Sequence, residues 1–193
     1  MTISNGYATL AEVKNWIAIT STSTTDDQVI EDMVEGASRQ IDKLTGGRTF
    51  YARTETHYYS VPRTGQTLWI DDDDLLTITS LKNGDESVIS SDDYHLIPKN
   101  KNPKYAIKLT TAVSWVSQSE DYEVEAAGTW GYVSSAPDDI KQATIDIVVN
   151  AYHRRFGQGQ SGQTVIAGGG ILITPEDVPS SAMSIIKTYR RLV

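Results

Sequence analysis

Four consecutive carboxylates, Asp71 to Asp74, form the densest group of chemically active side chains in the sequence. Carboxylate oxygens suit hard cations such as Ca²⁺ and Mg²⁺, so the run could be a divalent-cation-binding module or the centre of a metal-dependent enzyme. Cation-binding loops, however, space their ligands so that alternate side chains converge, and they usually include a glycine for the sharp turn. Four adjacent aspartates point in different directions. This favours a solvated connection between strands and predicts no metal ligands here.

The other residue types that support catalysis are scattered. His57, His95 and His153 form no His-x-His or His-x-x-x-His pair, and the chain has no cysteine. A zinc site would therefore need three histidines to meet from distant segments. The sequence has neither a nucleophile elbow nor a P-loop, and Gly168-Gly169-Gly170 leads into an apolar run instead of opening a helix. We expect that the chain has no catalytic residue and no cofactor, and that it is not an enzyme.

The charge distribution argues against a protein that grips nucleic acid. The net charge is −8, and the first 100 residues hold 16 of the 25 acids but only 8 of the 17 bases. Such a chain lacks the positive surface that binds phosphate backbones. No basic residues interleave with Trp69, Trp115 and Trp130, so we assign these side chains to a β core and not to a stacking platform for single strands.

Targeting and membrane signals are missing from the sequence. The N-terminal residues show no basic region followed by an apolar run. No segment approaches the roughly 20 apolar residues that a membrane span requires. We expect a soluble protein that is made and used without secretion and has no membrane partner.

Helix-capping residues and the spacing of apolar residues predict the helices and strands that would carry these side chains. Thr9 and Glu12 match a capping box at the start of a first helix, and Gly46-Gly47 ends a second helix. After Arg53 the sequence changes to short runs of β-branched and aromatic residues, and Pro137-Asp138-Asp139 then begins a long helix. The predicted segments are a helical pair (1–52), an antiparallel β region (53–133), a long helix (137–156), a flexible Gly-rich loop (157–173) and a C-terminal helix (179–193).

These segments predict an α+β fold. The N-terminal helix pair, the long helix and the C-terminal helix would form a helical bundle, and the antiparallel β region would be inserted into it. With 193 residues, the chain can bury one sizeable core, so we expect a single domain over residues 1–193.

The order of these segments and several short motifs resemble the head-tail connector, or adaptor, family of tailed bacteriophages. The N-terminal motifs are Thr9-Leu10-Ala11-Glu12-Val13-Lys14, Thr25-Asp26-Asp27, Ile41-Asp42, Thr45-Gly46, Arg48 and Phe50. The later motifs are Gly128–Tyr132, Pro137–Ala143, Tyr152–Arg155 and Ile186–Leu192. Together they cover most of the chain, and the β segment before Gly128 departs most from the family pattern.

The resemblance implies a structural virion protein, without catalysis, that assembles in the host cytoplasm. It would form a ring with copies of itself on the portal protein, extend the DNA channel and dock a tail or head-closure protein. An acidic surface at Asp71, Asp72, Asp73 and Asp74 would line the channel and let DNA pass without tight binding. The residues expected to contact the portal or a neighbouring subunit are Arg154, Arg155, Ile186, Tyr189, Arg190, Arg191 and Leu192.

Two alternatives stay open at this point. Within the structural class, the chain could be a head-closure or tail-terminator protein. In another class, it could be a divalent-cation-binding module or a metal-dependent enzyme that uses Asp71 to Asp74.

Overall fold

The structure is a computed structural model of the chain, and it describes residues 3–19, 22–118, 123–156, 166–167, 170–171 and 178–191. The chain divides into two compact units, a helical unit of residues 1–48 and 135–192 and a β unit of residues 49–134. In chain order the elements are α1 (Leu10–Trp16), α2 (Asp27–Leu44), β1 (Arg53–Tyr59), β2 (Thr67–Trp69), β3 (Leu75–Lys82), β4 (Tyr94–Ile97), β5 (Ala106–Leu109), β6 (Val124–Trp130), α3 (Asp138–Phe156), β7 (Ile166–Ala167), β8 (Gly170–Ile171) and α4 (Ser180–Thr188).

This element order confirms the predicted α+β fold with an inserted antiparallel β region. The single domain predicted over residues 1–193 stays a prediction. The predicted Gly-rich loop over 157–173 lies outside the described residues except for the backbone of β7 and β8. None of the helices in the described ranges combines the length and the apolarity needed to cross a membrane.

In the helical unit, α3 packs against each of the other three helices. The predicted capping box begins α1, where the Thr9 amide donates to Glu12 Oε2 at 2.8 Å and the Glu12 amide donates to Thr9 Oγ1 at 3.2 Å. Helix α2 is strongly amphipathic, and its apolar residues recur every three or four positions on one buried face. The fully buried apolar side chains of α2 and α3 are Ile30, Met33, Val34, Ala37, Ile41, Ile140, Ala143, Ile147 and Val148.

Two polar contacts tie the start of α2 to the other helices. Lys14 is only 5% exposed, and its Nζ atom contacts Asp27 Oδ1 at 2.7 Å. The Tyr152 hydroxyl of α3 donates to Asp26 Oδ2 at 2.9 Å. A buried lysine needs a partner because burial otherwise strips its charge of water, so the contact with Asp27 holds the start of α2 against α1.

The predicted C-terminal helix is shorter in the structure. It ends at Thr188, after which the amides donate to the carbonyl three residues earlier. The Tyr189 amide donates to Ile186 O at 3.1 Å, and the Arg190 amide donates to Lys187 O at 3.4 Å. The Arg191 amide then donates to the Thr45 carbonyl at 2.8 Å. A hydrogen bond to the end of α2 therefore replaces the last helical turn expected from the sequence.

The β unit contains two three-stranded antiparallel sheets, with strand orders β1-β6-β3 and β2-β5-β4. In the first sheet β6 is the central strand, and its pairing with β1 runs from Arg53 opposite Trp130 to Tyr59 opposite Val124. Every second residue of β6 is buried, as expected for a strand with one face on the core. The buried core of this unit includes Leu68, Leu75, Leu81, Ile107, Leu109, Val124, Ala126 and Trp130.

Gly128 of β6 lies where the partner strand β3 is irregular. The register of β3 against β6 shifts between Leu75 and Thr77 and again between Ile78 and Ser80. A Cβ atom at position 128 would lie 2.1 Å from the Thr77 carbonyl oxygen. Glycine is required here because the β3 backbone approaches β6 too closely for any side chain.

We expect Gly128→Ala to lower the free energy of unfolding by about 3 kcal/mol, the upper end of the range for overpacking, because a backbone oxygen cannot rotate away as a side chain can. Urea denaturation followed by circular dichroism measures the change. The control is Ala127→Gly, one residue earlier on the opposite face, which should cost no more than about 1 kcal/mol. If both variants lost the same free energy of unfolding, the close approach of the β3 backbone would not be the reason for glycine at position 128.

Candidate functional site

The four aspartates lie in the loop between β2 and β3, as predicted, but their environments are unequal. Asp71 and Asp72 are exposed, Asp73 is partly buried, and Asp74 is only 5% exposed. The structure therefore differs from the solvated run expected from the sequence. In addition, β1 supplies partners for two of these carboxylates, Asp72 and Asp73.

Alternate residues of β1 meet the aspartate loop. Arg53 Nη2 forms an ion pair with Asp73 Oδ2. Asp72 receives two contacts, with 2.9 Å between His57 Nδ1 and Asp72 Oδ2 and 2.8 Å between the Tyr59 hydroxyl and Asp72 Oδ1. Because side chains two apart on a strand share a face, these three partners project from β1 together. We call Arg53, Glu55, His57, Tyr59, Asp72 and Asp73 the β1 network.

Trp130 supports the β1 network from β6. Its side chain is fully buried, and its ring stacks on the His57 ring with 3.8 Å between centroids and 16° between planes. The Trp130 indole N–H donates to the Glu55 carbonyl at 3.0 Å. The network is therefore built on the hydrophobic core of the β unit and has a fixed geometry.

The hydrogen bonds of the network determine the protonation of two members. Partial burial acts to raise the pKa of Asp72, but the hydrogen bonds from Tyr59 and His57 outweigh it and hold that pKa below its ordinary value of 3.8. Burial, followed by the hydrogen bond to Asp72, raises the pKa of Tyr59 far above the ordinary tyrosine value. At neutral pH Asp72 is thus an ionised acceptor, and Tyr59 is a neutral donor.

One group in the described part of the chain has the composition of a metal site. Glu55, His57 and Asp73 offer ligand atoms that all lie within 4.8 Å of one another. Arg53 already contacts both carboxylates, since its Nη1 lies 3.2 Å from Glu55 Oε2 and its Nη2 pairs with Asp73. A guanidinium therefore supplies the positive charge that a metal ion would bring. Of the four aspartates proposed as cation ligands, Asp73 alone belongs to this group.

The predicted contact residues at the C-terminus have mixed roles. Ile186 is 1% exposed and belongs to the interior of the helical unit. The Tyr189 hydroxyl donates to Asp139 Oδ2 at 2.7 Å, and the Tyr189 carbonyl accepts from Arg48 Nη1 at 2.9 Å. Because these contacts anchor the segment after α4, Ile186 and Tyr189 stabilise the fold, and their contact with a partner stays a prediction.

The arginines of the same prediction differ in exposure. Arg155 and Arg190 are exposed, whereas Arg154 and Arg191 are partly buried, and Leu192 lies outside the described residues. Arg154 and Arg155 occupy the last turn of α3, where the helix dipole favours cations. The exposed members, Arg155 and Arg190, are the arginines best placed for an external partner, and this role stays a prediction.

The assignment of the tryptophans to a β core is right for Trp130 and wrong for Trp69. Trp69 is 63% exposed, because Leu68 and Ile70 on either side of it are buried and the strand alternation turns position 69 outward. Tyr105 is 48% exposed, and its ring is parallel to that of Trp69 within 6°, with 5.9 Å between centroids. The alternation of Leu68 and Ile70 was the signal in the sequence that could have revealed this exposed pair.

The chain matches one known family along almost its full length. The model of a family described as head completion protein matches residues 7–192. No curated protein matches the chain at a significant level.

Several solved structures share the fold. A chain from the neck of an empty gene transfer agent particle, computed with C6 symmetry, superposes with a TM-score of 0.64 at 15% identity, covering 100% of this chain and 94% of that one. A chain from the neck of the native particle, computed with C12 symmetry, gives 0.60 at 13% identity, with 100% and 93% covered. A chain from the virion of the native gene transfer agent particle gives 0.60 at 16% identity, with 100% and 94% covered.

The lowered pKa of Asp72 predicts how stability depends on pH. A carboxyl group whose pKa is depressed by folding contributes stability above its unfolded pKa and loses it as the pH falls through the folded pKa. We therefore expect Asp72→Asn to be less stable than the wild type at pH 7, and the difference to shrink below about pH 4. The difference should stay under about 1 kcal/mol, since the Asp72 side chain is half exposed.

Urea denaturation between pH 7 and pH 3 tests this expectation. The matched control is Asp92→Asn, which removes one exposed carboxylate elsewhere in the β unit. Parallel pH profiles for the wild type and Asp72→Asn would contradict the assigned role of the β1 network.

Proposed function

The chain belongs to the head completion protein family and is a structural head-tail connector of the virion, and we propose that it closes into a ring on the portal protein. The observation that carries the proposal is the family match over residues 7–192, which includes both the helical unit and the β unit. The shared fold with neck chains of particles computed with C6 and C12 symmetry supports a closed ring. Part of the proposal is that the chain catalyses no reaction.

A ring of identical subunits sets a physical requirement. A heterologous contact that closes into a ring joins two different surfaces of the same chain, and the contact repeats at every position. With a net charge of −8, neighbouring copies repel one another at separations up to the screening length, about 8 Å at physiological ionic strength. Contact therefore depends on local regions where the charge is neutral or positive, and on apolar side chains that gain from leaving water.

The ring is proposed to extend the DNA channel. Asp71 and Asp72 are the exposed members of the aspartate run, and carboxylates at a channel wall repel the phosphates of the passing duplex. Asp73 contributes less to such a surface, because Arg53 neutralises it. The proposed acidic surface is therefore narrower than the four residues expected from the sequence.

Portal binding is proposed to use Arg155 and Arg190. Both are exposed on a chain that is acidic overall, so they stand out as positions for charge-assisted hydrogen bonds to carboxylates of a partner. The opposite face of the ring would dock the tail or a head-closure protein. The family description, head completion, favours the head side of the junction over a tail terminator.

Mixing the purified chain with its purified portal protein should give a ring on the portal in negative-stain electron microscopy. Tail tubes prepared from the same phage are the comparison surface. Absence of a ring on the portal, together with binding to the end of the tail tube, would replace the proposed connector with a tail terminator.

We expect the double variant Arg155→Glu, Arg190→Glu to bind the portal at least about tenfold more weakly, because each substitution replaces an attraction by a repulsion, and tenfold corresponds to 1.4 kcal/mol. Surface plasmon resonance on immobilised portal measures the change. Lys43→Glu is the control, since it reverses one exposed charge in the same helical unit. An equal loss in Lys43→Glu would mean that net charge, and not the two arginines, controls binding.

A further inference from the structure

We infer that the outer face of the β2-β5-β4 sheet, centred on Trp69 and Tyr105, is where a neighbouring copy of this chain docks. The inference rests on the proposed ring and assigns one of the two surfaces that a ring contact needs. We call this surface the aromatic face. It consists of Thr67, Trp69, His95, Ile97, Tyr105 and Lys108.

Strand register places most of these residues on one side of the sheet. Thr67 pairs with Lys108, which pairs with His95. In the next row Trp69 pairs with Ala106, which pairs with Ile97. Directly opposed residues of antiparallel strands project to the same side.

The other side of the same sheet faces the core of the β unit. Leu68 and Ile107 are opposed in the register and are 4% and 0% exposed. Leu96 pairs with Ile107 and packs against the same core. The aromatic face is therefore the solvent side of a sheet whose inner side is already filled.

The backbone that carries the Tyr105 ring is held in place before any partner binds. The Tyr105 amide donates to Ile97 O at 2.8 Å, and the Ile70 amide donates to Tyr105 O at 2.9 Å, so the backbone of Tyr105 is bonded on both sides. Lys104 Nζ donates to the carbonyls of Pro98 and Lys101, both at 2.7 Å, which closes the turn before Tyr105. A ring on a fixed backbone that is also parallel to a neighbouring ring loses less conformational freedom on docking than one on a mobile loop, which suits this pair as interface anchors.

The charge of this region fits another copy of an acidic chain. Residues 98–118 contain Lys99, Lys101, Lys104 and Lys108 and no acid. The strand residues of the aromatic face likewise include Lys108 and no carboxylate; Asp71 and Asp93 lie at its edges, two positions after Trp69 and two positions before His95. On a chain of net charge −8, this is a region that an acidic neighbour can approach with little repulsion.

Site-specific photo-crosslinking in assembled particles tests the inference. The photoreactive amino acid p-benzoylphenylalanine replaces Trp69, and mass spectrometry identifies the cross-linked partner. We expect cross-links to a second copy of this chain. Cross-links to the portal, to a tail protein or to DNA, or no cross-link in particles that contain the protein, would overturn the inference. Absence of the protein from the particles would instead overturn the proposed function.

A second measurement uses substitutions with a matched control. Trp69→Ala with Tyr105→Ala should reduce ring occupancy on the portal at least about tenfold while circular dichroism stays that of the wild type. Trp16→Ala removes a comparably exposed tryptophan, 58% accessible, from the helical unit and should leave occupancy unchanged. Equal occupancy for the double variant and the wild type would refute the assignment. Tight binding of a single-stranded oligonucleotide that the double variant loses would show that the rings stack on bases instead.

Discussion

The burial of Trp130 at the end of β6 is the interaction on which the β unit depends. Its ring is removed from water, its indole N–H bonds to the Glu55 carbonyl, and its face supports the His57 ring. A buried indole without a partner for its N–H would be costly, so the position of β1 relative to β6 is fixed by the same contact. Once β1 is fixed, its alternate side chains meet the aspartate loop in a defined geometry.

Some carboxylates are paired within the chain, so the formal net charge overstates the negative charge that other molecules experience. Formal charge counts every carboxylate equally, but Asp73 pairs with Arg53, whereas Asp72 keeps a half-exposed side chain while it is hydrogen-bonded to His57 and Tyr59. Desolvated and hydrogen-bonded carboxylates contribute to local order, whereas solvated carboxylates contribute to the field that other molecules experience. Within the proposed DNA channel both effects would matter, because the loop has to stay rigid and its surface has to let DNA pass.

The residues at the end of α4 and just after it are anchored within the helical unit. Ile186 lies in the interior, and Tyr189 is held by Arg48 and Asp139. These residues keep the segment directly after α4 in place, and Arg190 is exposed beside them. A docking contact made by a side chain on such an anchored segment loses less entropy than one made by a mobile tail, which favours binding.

The sequence by itself determined the kind and order of the elements. The capping box at Thr9, the amphipathic spacing of α2 and the β-branched runs after Arg53 depend on neighbours close in the chain, and all of them appear in the structure. The order of short motifs also indicated the family, because each motif is local. These features need no knowledge of which distant residues come together.

Tertiary structure alone decided what the chemically active residues do. Arg53 and His57 precede the aspartates by more than a dozen residues, and no local pattern shows that β1 will pair with β6 and carry them to Asp72 and Asp73. Whether a carboxylate is solvated, paired or buried depends on those long-range contacts. The same holds for Trp69, whose exposure follows from which side of its sheet faces the core.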